Sequence, residues 1–537
     1  MTNRRRQHFP RWLASSGRTF SFVVVGLSCV AGVGGCRKRR AVETTSTPLS
    51  AKTTVTRGDA SPSSRAASSA APSAAASATF EPLASSADAP ARHPLGPLHF
   101  LAIGGGATPE STEVSLEQDI ALVEQTLPGP GAVLFAGGSG SESVRELDPN
   151  AGGDTVLLEL GDLFNPRQGR RSRYRPSRFA SERATVDGVE ARLGEALSQG
   201  DGPLLVYVAA HGDQGTTPRD NSIALWGGQS LTVKDVAEIH ERHKRPLRLV
   251  ATSCFSGGFA ELAFQHADEH AGPSRVARCG LFAGTWDRET SGCDANPDRR
   301  AQESYGLHFI HALGKTDKVG HPLPLEALDY DHDGKVGLLD AHTRARIASV
   351  SFDVPTTTSE RWLRSVEHGK APIDRKILPE DLAVVDQLGK ALGLPDEAAV
   401  ERKWKAVEHQ LDELNDVLDD AEDDLDGRTA SLTSALLERW PMLDDAYNPD
   451  FGGTFAKNRD AIAQILESSD DATAHREAEG AVDAADARVA EAEVVEARVL
   501  RLRRAYETLH KASALLHRGG SAADYYRALL ECERAPP

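Results

Sequence analysis

The sequence predicts an α/β fold, a three-layer sandwich on a mostly parallel sheet, followed by an α-helical hairpin or small bundle. Three observations carry this. Leu204–Ala210 and Leu247–Ala251 are short Val- and Leu-rich runs bounded by turn residues, as strands buried on both faces are. Segments of helical periodicity alternate with such runs, which places helices against a parallel sheet. From Leu378 onward the chain changes character, and apolar residues recur at heptad spacing among acidic neighbours.

In chain order, Pro97–Ile103 reads as the first strand. The glycines at 104–106 follow it as a turn, because they lack the Lys-Ser/Thr of a phosphate loop. A helix is expected over Ser115–Leu127, with Ser115 as N-cap and Gln118 completing a capping box. Ala132–Ala136 is a second strand and Asp154–Leu160 a further one. Residues 164–183 carry Arg167, Arg170, Arg171, Arg173, Arg175, Arg178 and Arg183 and read as an exposed, solvated loop. The amphipathic stretch Ala184–Gln199 leads into the strand that ends at His211. After Ile223–Gly228, a helix starting near Thr232 crosses over to the strand that ends at Cys254. A helix over Phe259–Glu269, a strand over Ala277–Ala283 and helices over Gln302–Leu313 and Leu338–Ser349 complete this part. Beyond it, Val400, Trp404, Val407, Leu411, Leu414, Leu418, Ala421 and Leu425 alternate steps of four and three, a coiled-coil-like seam of about three heptads. Arg439-Trp440-Pro441 breaks the pattern. A short helix over Phe455–Leu466 and a long one over Ala474–His517 follow, which suggests an antiparallel hairpin.

His211 and Cys254 end successive strands, each beside or close to glycine. In open α/β sheets, sites form beyond the carboxyl ends of the strands, so imidazole and thiol are expected at one edge. A thiol is mostly protonated at neutral pH and needs a base or positive charge nearby. His211 supplies the base, and the N-terminus of the following helix favours the thiolate. The backbone N–H groups of Gly212 and Cys254 are candidate donors to a developing oxyanion.

Strand-His-Gly followed by strand-Ser-Cys-Phe-Ser-Gly-Gly resembles the caspase-like fold of cysteine peptidases, the group of legumains, gingipains and caspases. The resemblance covers residues 97 to 350 and implies a catalytic dyad, His211 and Cys254, without an obligatory third member. Glu289-Thr-Ser291 resembles the Glu-Ser-Ser stretch near the legumain specificity pocket. Where that branch has an acidic residue two positions before the cysteine, this chain has Thr252, so strict Asn specificity is not expected.

At the start of the chain, Arg4–Arg6 precede an apolar run over 22–33, which reads as a signal-peptide core. The run ends in Val33-Gly34-Gly35-Cys36, which resembles a bacterial lipoprotein cleavage site. The resemblance implies lipidation of Cys36, and Arg37 after it points to the outer membrane. An ordinary secretory signal or an uncleaved anchor is the alternative. Residues 37–95, rich in Ser, Ala, Thr and Pro, cannot bury enough apolar surface to fold and read as a tether. Four segments result: 1–36 signal, 37–95 tether, 96–370 sheet domain, 371–537 helical domain.

The formal charge is −17, with the basic excess at the N-terminus, which argues against nucleic acid as a partner. Six cysteines show no CxxC spacing. In an exported protein Cys279 and Cys293 are candidates for a disulfide, with two thiols as the alternative.

Asp329-Tyr-Asp331-His-Asp333-Gly334-Lys335 through Asp340 follows the calcium-loop pattern. Ligands are expected from Asp329, Asp331, Asp333, the backbone of Lys335 and Asp340, with Gly334 at the turn. Position 12 is Asp rather than Glu, and an Asp-rich turn without metal is the alternative.

The expectation is therefore an exported, membrane-tethered cysteine endopeptidase acting on protein or peptide substrates. It needs no cofactor for catalysis, carries a structural Ca²⁺ site and offers a helical surface to a protein partner. The alternative is a non-catalytic binding module of the same fold. Transfer of the thioester to an amine instead of water is a third outcome of the same chemistry.

Overall fold

The computed structural model describes residues 96–148, 152–164 and 171–537. Cys36, the signal segment, the tether up to residue 95, Arg167 and Arg170 lie outside the described residues.

The described residues open with β1 (Phe100–Gly105), α1 (Val114–Thr126) and β2 (Gly131–Phe135). β3 (Val144–Leu147) and β4 (Ser172–Arg175) form an antiparallel pair separated by α2 (Thr155–Phe164). α3 (Val186–Ser198) leads to β5 (Leu204–Ala210), and the small antiparallel sheet β6 (Gly212–Asp213), β7 (Ser222–Leu225) and β8 (Gln229–Thr232) follows at once. α4 (Val233–Glu241) crosses to β9 (Leu247–Ala251), and β10 (Arg278–Phe282) is next. Then come α5 (Tyr305–Leu313), α6 (Leu338–Ala348), β11 (Thr356–Thr357) and α7 (Thr358–Val366). α8 (Pro379–Ala383) and α9 (Gly389–Leu392) flank a π turn over Val384–Leu388. Four helices end the chain: α10 (Glu397–Arg439), α11 (Phe451–Ser468), α12 (Asp470–Arg518) and α13 (Ser521–Arg534).

The main sheet has six strands in the order β11-β10-β9-β5-β1-β2. All neighbours are parallel except β10 and β11. The alternation of side chains along a strand explains the three layers. Phe100 and Ala102, with Leu205, Tyr207 and Ala209, face the core shared with α1, α5, α6 and α7. Leu101 and Ile103, with Leu204, Val206 and Val208, face the core shared with α3 and α4. Both faces are covered, so these strands are apolar at every position. Each fully buried Leu, Val or Ile stabilises the sandwich by about 1.5–3 kcal/mol. The helix expected to start near Thr232 does so, and Thr232 caps it: its side chain accepts from Asp235 N–H, and Asp235 accepts from Thr232 N–H.

α10 and α12 run antiparallel. Val400 packs in the core with Val499 and Leu502, Leu414 with Val489 and Ala492, and Leu432 and Leu436 with Ala472. Arg503 stacks on the Trp404 ring at 3.9 Å. Residues of α12 and α13 join the core beneath the sheet, so helical region and sheet share one apolar interior. None of the described helices is long and apolar enough to cross a membrane.

Four expectations need correction. Residues 155–164 are helical, because Val156 and Leu160 lie one turn apart and bury together against Leu436, Ile462 and Leu466. Asp154 accepts from Val156 N–H at the start of this helix and pairs with Arg459 at 2.5 Å. The arginine-rich stretch is not merely a solvated loop: Arg175 joins the buried Glu146 at 2.8 Å to Glu117 at 2.7 Å. Ser115 and Gln118 do not cap α1. Glu113 holds the N-cap position, while Ser115 Oγ donates to Gly292 O at 2.7 Å and Gln118 Nε2 to Pro297 O at 3.0 Å. The chain after Cys254 forms short 3-10 turns over Ser256–Ala263 and then Gln265–Ala267, the second kinked by His266 at φ 57° within it, instead of an α-helix.

The disulfide also differs. Cys279, inside β10, bonds to Cys532 on α13, with the Cα atoms 6.1 Å apart. α13 packs across β10 and brings Cys532 onto it. Cys293 lies on an exposed loop elsewhere, so the expected Cys279–Cys293 pair does not form.

Candidate active site

β5 and β9 are adjacent and parallel, with Val208 beside Ala251. His211 and Cys254 each follow three residues later, so both leave the same carboxyl edge at the same level. Gly212 follows at once, and the close approach there explains the glycine. A Cβ at 212 would stand 2.1 Å from the Cys254 carbonyl oxygen. The segments that carry His211 and Cys254 therefore touch through backbone.

His211 is held from the far side of its ring. Nε2 lies 3.0 Å from Glu113 Oε2, and the other oxygen of Glu113 accepts from Arg145 Nη2 at 2.7 Å. Burial acts to raise the Glu113 carboxyl, but the hydrogen bond and charge of His211, joined by Arg145, override it and hold the group below the usual carboxylate range. A carboxylate on Nε2 fixes the imidazole so that Nδ1 faces the opposite direction. Cys293 Sγ lies there, 3.6 Å from Nδ1.

Cys254 is 8% exposed. Its sulfur is enclosed by Thr290: the Thr290 N–H donates to Sγ at 3.3 Å, and the thiol donates to Thr290 O at 3.6 Å. The donor expected from a following α-helix comes instead from this loop. Phe255, next in sequence, takes a left-handed φ of 57°, so the chain turns sharply after the cysteine. Phe255 N–H donates to Arg288 O at 2.8 Å. Thr252 Oγ1 donates to Val208 O at 3.1 Å and knits β9 to β5.

Residues other than His211 and Cys254 also meet at this edge. Asn221 is 1% exposed and staples three loops: Nδ2 donates to Phe255 O at 2.9 Å and to Trp286 O at 2.7 Å, and Oδ1 accepts from Gly215 N–H at 2.9 Å. Glu113, Arg145, Asn221 and Cys293 were not assigned to this edge from sequence. Glu113, Arg145 and Cys293 are distant in sequence from both His211 and Cys254, and none of the four carries a local signature; for Glu113 the one available sign was an acidic residue just before α1 that does not cap it.

In the acidic loop, carboxylate oxygens of Asp329, Asp331 and Asp333 lie within 4.8 Å of one another. Gly334 takes φ 85°, and its N–H donates to Asp329 Oδ2 at 3.0 Å. Asp340 is engaged differently: its oxygens accept from Tyr330 and Gly337 N–H, each at 2.8 Å. Burial pushes its carboxyl up to about 6. The first three carboxylates suit a hard cation, while Asp340 is turned toward backbone at the start of α6. Lys335 N–H donates to Asp333 Oδ1 at 2.8 Å, within the loop.

No protein-family model matches the chain, and no curated protein matches it.

Proposed function

We propose that this chain is an exported, lipid-anchored cysteine endopeptidase of caspase-like architecture. The observation that carries the reading is the exit of His211 and Cys254 from adjacent parallel strands at one sheet edge, with Gly212 against the Cys254 carbonyl. In this reading His211 takes the Cys254 proton, and the sulfur attacks the scissile carbonyl. N–H groups of Gly212 and Cys254 stabilise the oxyanion. Collapse forms the thioester and breaks the C–N bond, and the amine leaves with the proton from His211. Water, deprotonated by His211, then releases the acid and the thiol. Glu113 stabilises the charged imidazole in both halves. Substrates are proteins or peptides. Ca²⁺ at Asp329, Asp331 and Asp333 would be structural, and calorimetry showing no heat with Ca²⁺ removes it.

A second reading, a non-catalytic binding module, draws on one observation: the resting Cys254 thiol is buried and donates to Thr290 O, while Cys293 is the thiol set against His211 Nδ1. Thiol-directed peptidyl probes, varied at the cleavage-site residue, separate the two. Labelling and peptide hydrolysis that persist in Cys293→Ser and vanish in Cys254→Ala support the peptidase. Labelling that follows Cys293 instead, with no hydrolysis in the wild type, overturns it.

A further inference from the structure

The long helix α12 reaches the site loop at two points, and both lead to Cys254. The first is an ion pair. Glu496, 7% exposed, takes Arg288 with both oxygens, at 2.6 Å and 3.2 Å. Arg288 in turn offers its carbonyl to the N–H of Phe255, the residue that turns the chain after Cys254. The second is a buried guanidinium. Arg501, 1% exposed, donates to the carbonyls of Arg346, Ser349, Ser351 and Asp353. Asp353 then accepts from Ser291 N–H at 2.6 Å and Ser291 Oγ at 2.8 Å. Ser291 follows Thr290, whose N–H points at Cys254 Sγ. Loop residues 288–291 are thus strung between the cysteine on one side and α12 on the other.

We propose that α12 is a positioning arm for the nucleophile: Glu496 through Arg288, and Arg501 through Asp353, hold residues 288–291 where Thr290 donates to the Cys254 sulfur and Arg288 fixes the turn at Phe255. A backbone N–H aimed at sulfur favours thiolate over thiol, and its worth depends on a fixed direction. The loop has no regular secondary structure; Thr290 Oγ1 ties it to Thr252 O at 3.0 Å, and α12 adds its ties from 208 residues away in sequence. The helical region is thereby part of the reactive centre's support, and whatever displaces α12 at this level alters the thiol. Glu496 and Arg501 are positioning residues, since neither touches Cys254.

The assignment rests on the peptidase reading only for its effect on turnover, so the test reads the thiol directly. The full chain is treated with iodoacetamide, and alkylation of Cys254 is followed by peptide mass. Glu496→Gln is expected to slow alkylation of Cys254 about fivefold, in the range that couplings between packed elements span. It should lower kcat with KM within twofold, at a nearly unchanged melting temperature. The exchange pair Arg288→Glu with Glu496→Arg is expected to restore the rate. An unchanged Cys254 rate in folded Glu496→Gln overturns the proposal, as does a loss that the exchange pair fails to recover. Should Glu496→Gln fold poorly, Arg288→Lys retains the charge, loses the two-pronged geometry and is read the same way. If no peptide is cleaved by the wild type yet the Cys254 rate responds, the peptidase reading falls and the arm stands.

Discussion

The acidic loop at Asp329–Asp340 and the sheet edge at His211 both gather charged side chains, but they are built in opposite ways. In the loop, almost every bond is local: Asp329 receives N–H groups from Asp333 and Gly334, and Asp333 receives that of Lys335. At the sheet edge nearly every bond is remote: Glu113 to His211, Thr290 to Cys254, Asn221 to Phe255 and Trp286. A cluster made of neighbours survives if the chain merely turns correctly. A cluster made of strangers exists only while the whole sandwich is folded. The sheet edge should therefore respond to changes made far from it, and the loop should not.

The largest expected effect tests that dependence at its most remote tie. Cys279 and Cys532 are 253 residues apart in sequence. In the chain-entropy picture a cross-link closing so long a loop adds about 5 kcal/mol of stability. Cys532→Ser is expected to lose much of this in guanidinium unfolding, and a loss below about 1 kcal/mol would mean that α13 is held by packing alone.

Next is Glu113→Gln. Glutamine keeps an acceptor for Arg145 but removes the charge that balances a protonated His211. Peptide hydrolysis should fall roughly a hundredfold, the lower end of what positioned acid–base groups contribute. Retention of activity within threefold would reduce the Glu113 contact to a structural one. Because the Glu113 carboxyl is held low, its contribution to stability is present above the ordinary carboxylate range and is lost as pH falls through its folded value; the Gln variant should lack that acid-side loss.

A smaller effect is expected in the loop. Asp331→Ala removes one of the two acceptors of Asp333 N–H and leaves the other, Asp329 Oδ1, so it costs about 1 kcal/mol at most. It should abolish any Ca²⁺-induced rise in melting temperature and leave hydrolysis within twofold. A tenfold fall in hydrolysis would erase the contrast between the two regions.

The last test is a pH titration. Glu533 on α13 is fully enclosed; burial raises its carboxyl to about 8, against the hydrogen bonds from Ser359. A group raised on folding stabilises fully below its unfolded value and loses that contribution as pH rises through the folded one. The wild type should therefore lose stability between the ordinary carboxylate range and pH 8 relative to Glu533→Gln, followed by melting temperature. Parallel curves would show that Glu533 is ionised in the fold.

Sequence reading recovered the parts whose signal is short-range. The heptad run over 400–425 matches the buried face of α10, with Val400, Val407 and Leu414 inside. The strands ending at His211 and Cys254 stand where their apolar runs put them. It failed where a short apolar run was ambiguous, as at residues 155–164, since a strand and a buried helix face look alike over so few positions. It also failed at Ser115, where a capping pattern was satisfied by a different loop.

What the sequence determined by itself was the alternation that makes an α/β sandwich, the placement of histidine and cysteine after buried strands, and the local turns of the acidic loop. Each follows from spacing along the chain, because side-chain direction repeats every two residues in a strand and every 3.6 in a helix. Only the tertiary structure decided that β5 and β9 are neighbours, that Glu113 meets His211, that Cys293 faces the imidazole while Cys279 bonds to Cys532, and that α12 reaches the loop against Cys254. Those pairings are fixed by which apolar faces bury together, and burial is a property of the assembled core with no fixed spacing in the chain.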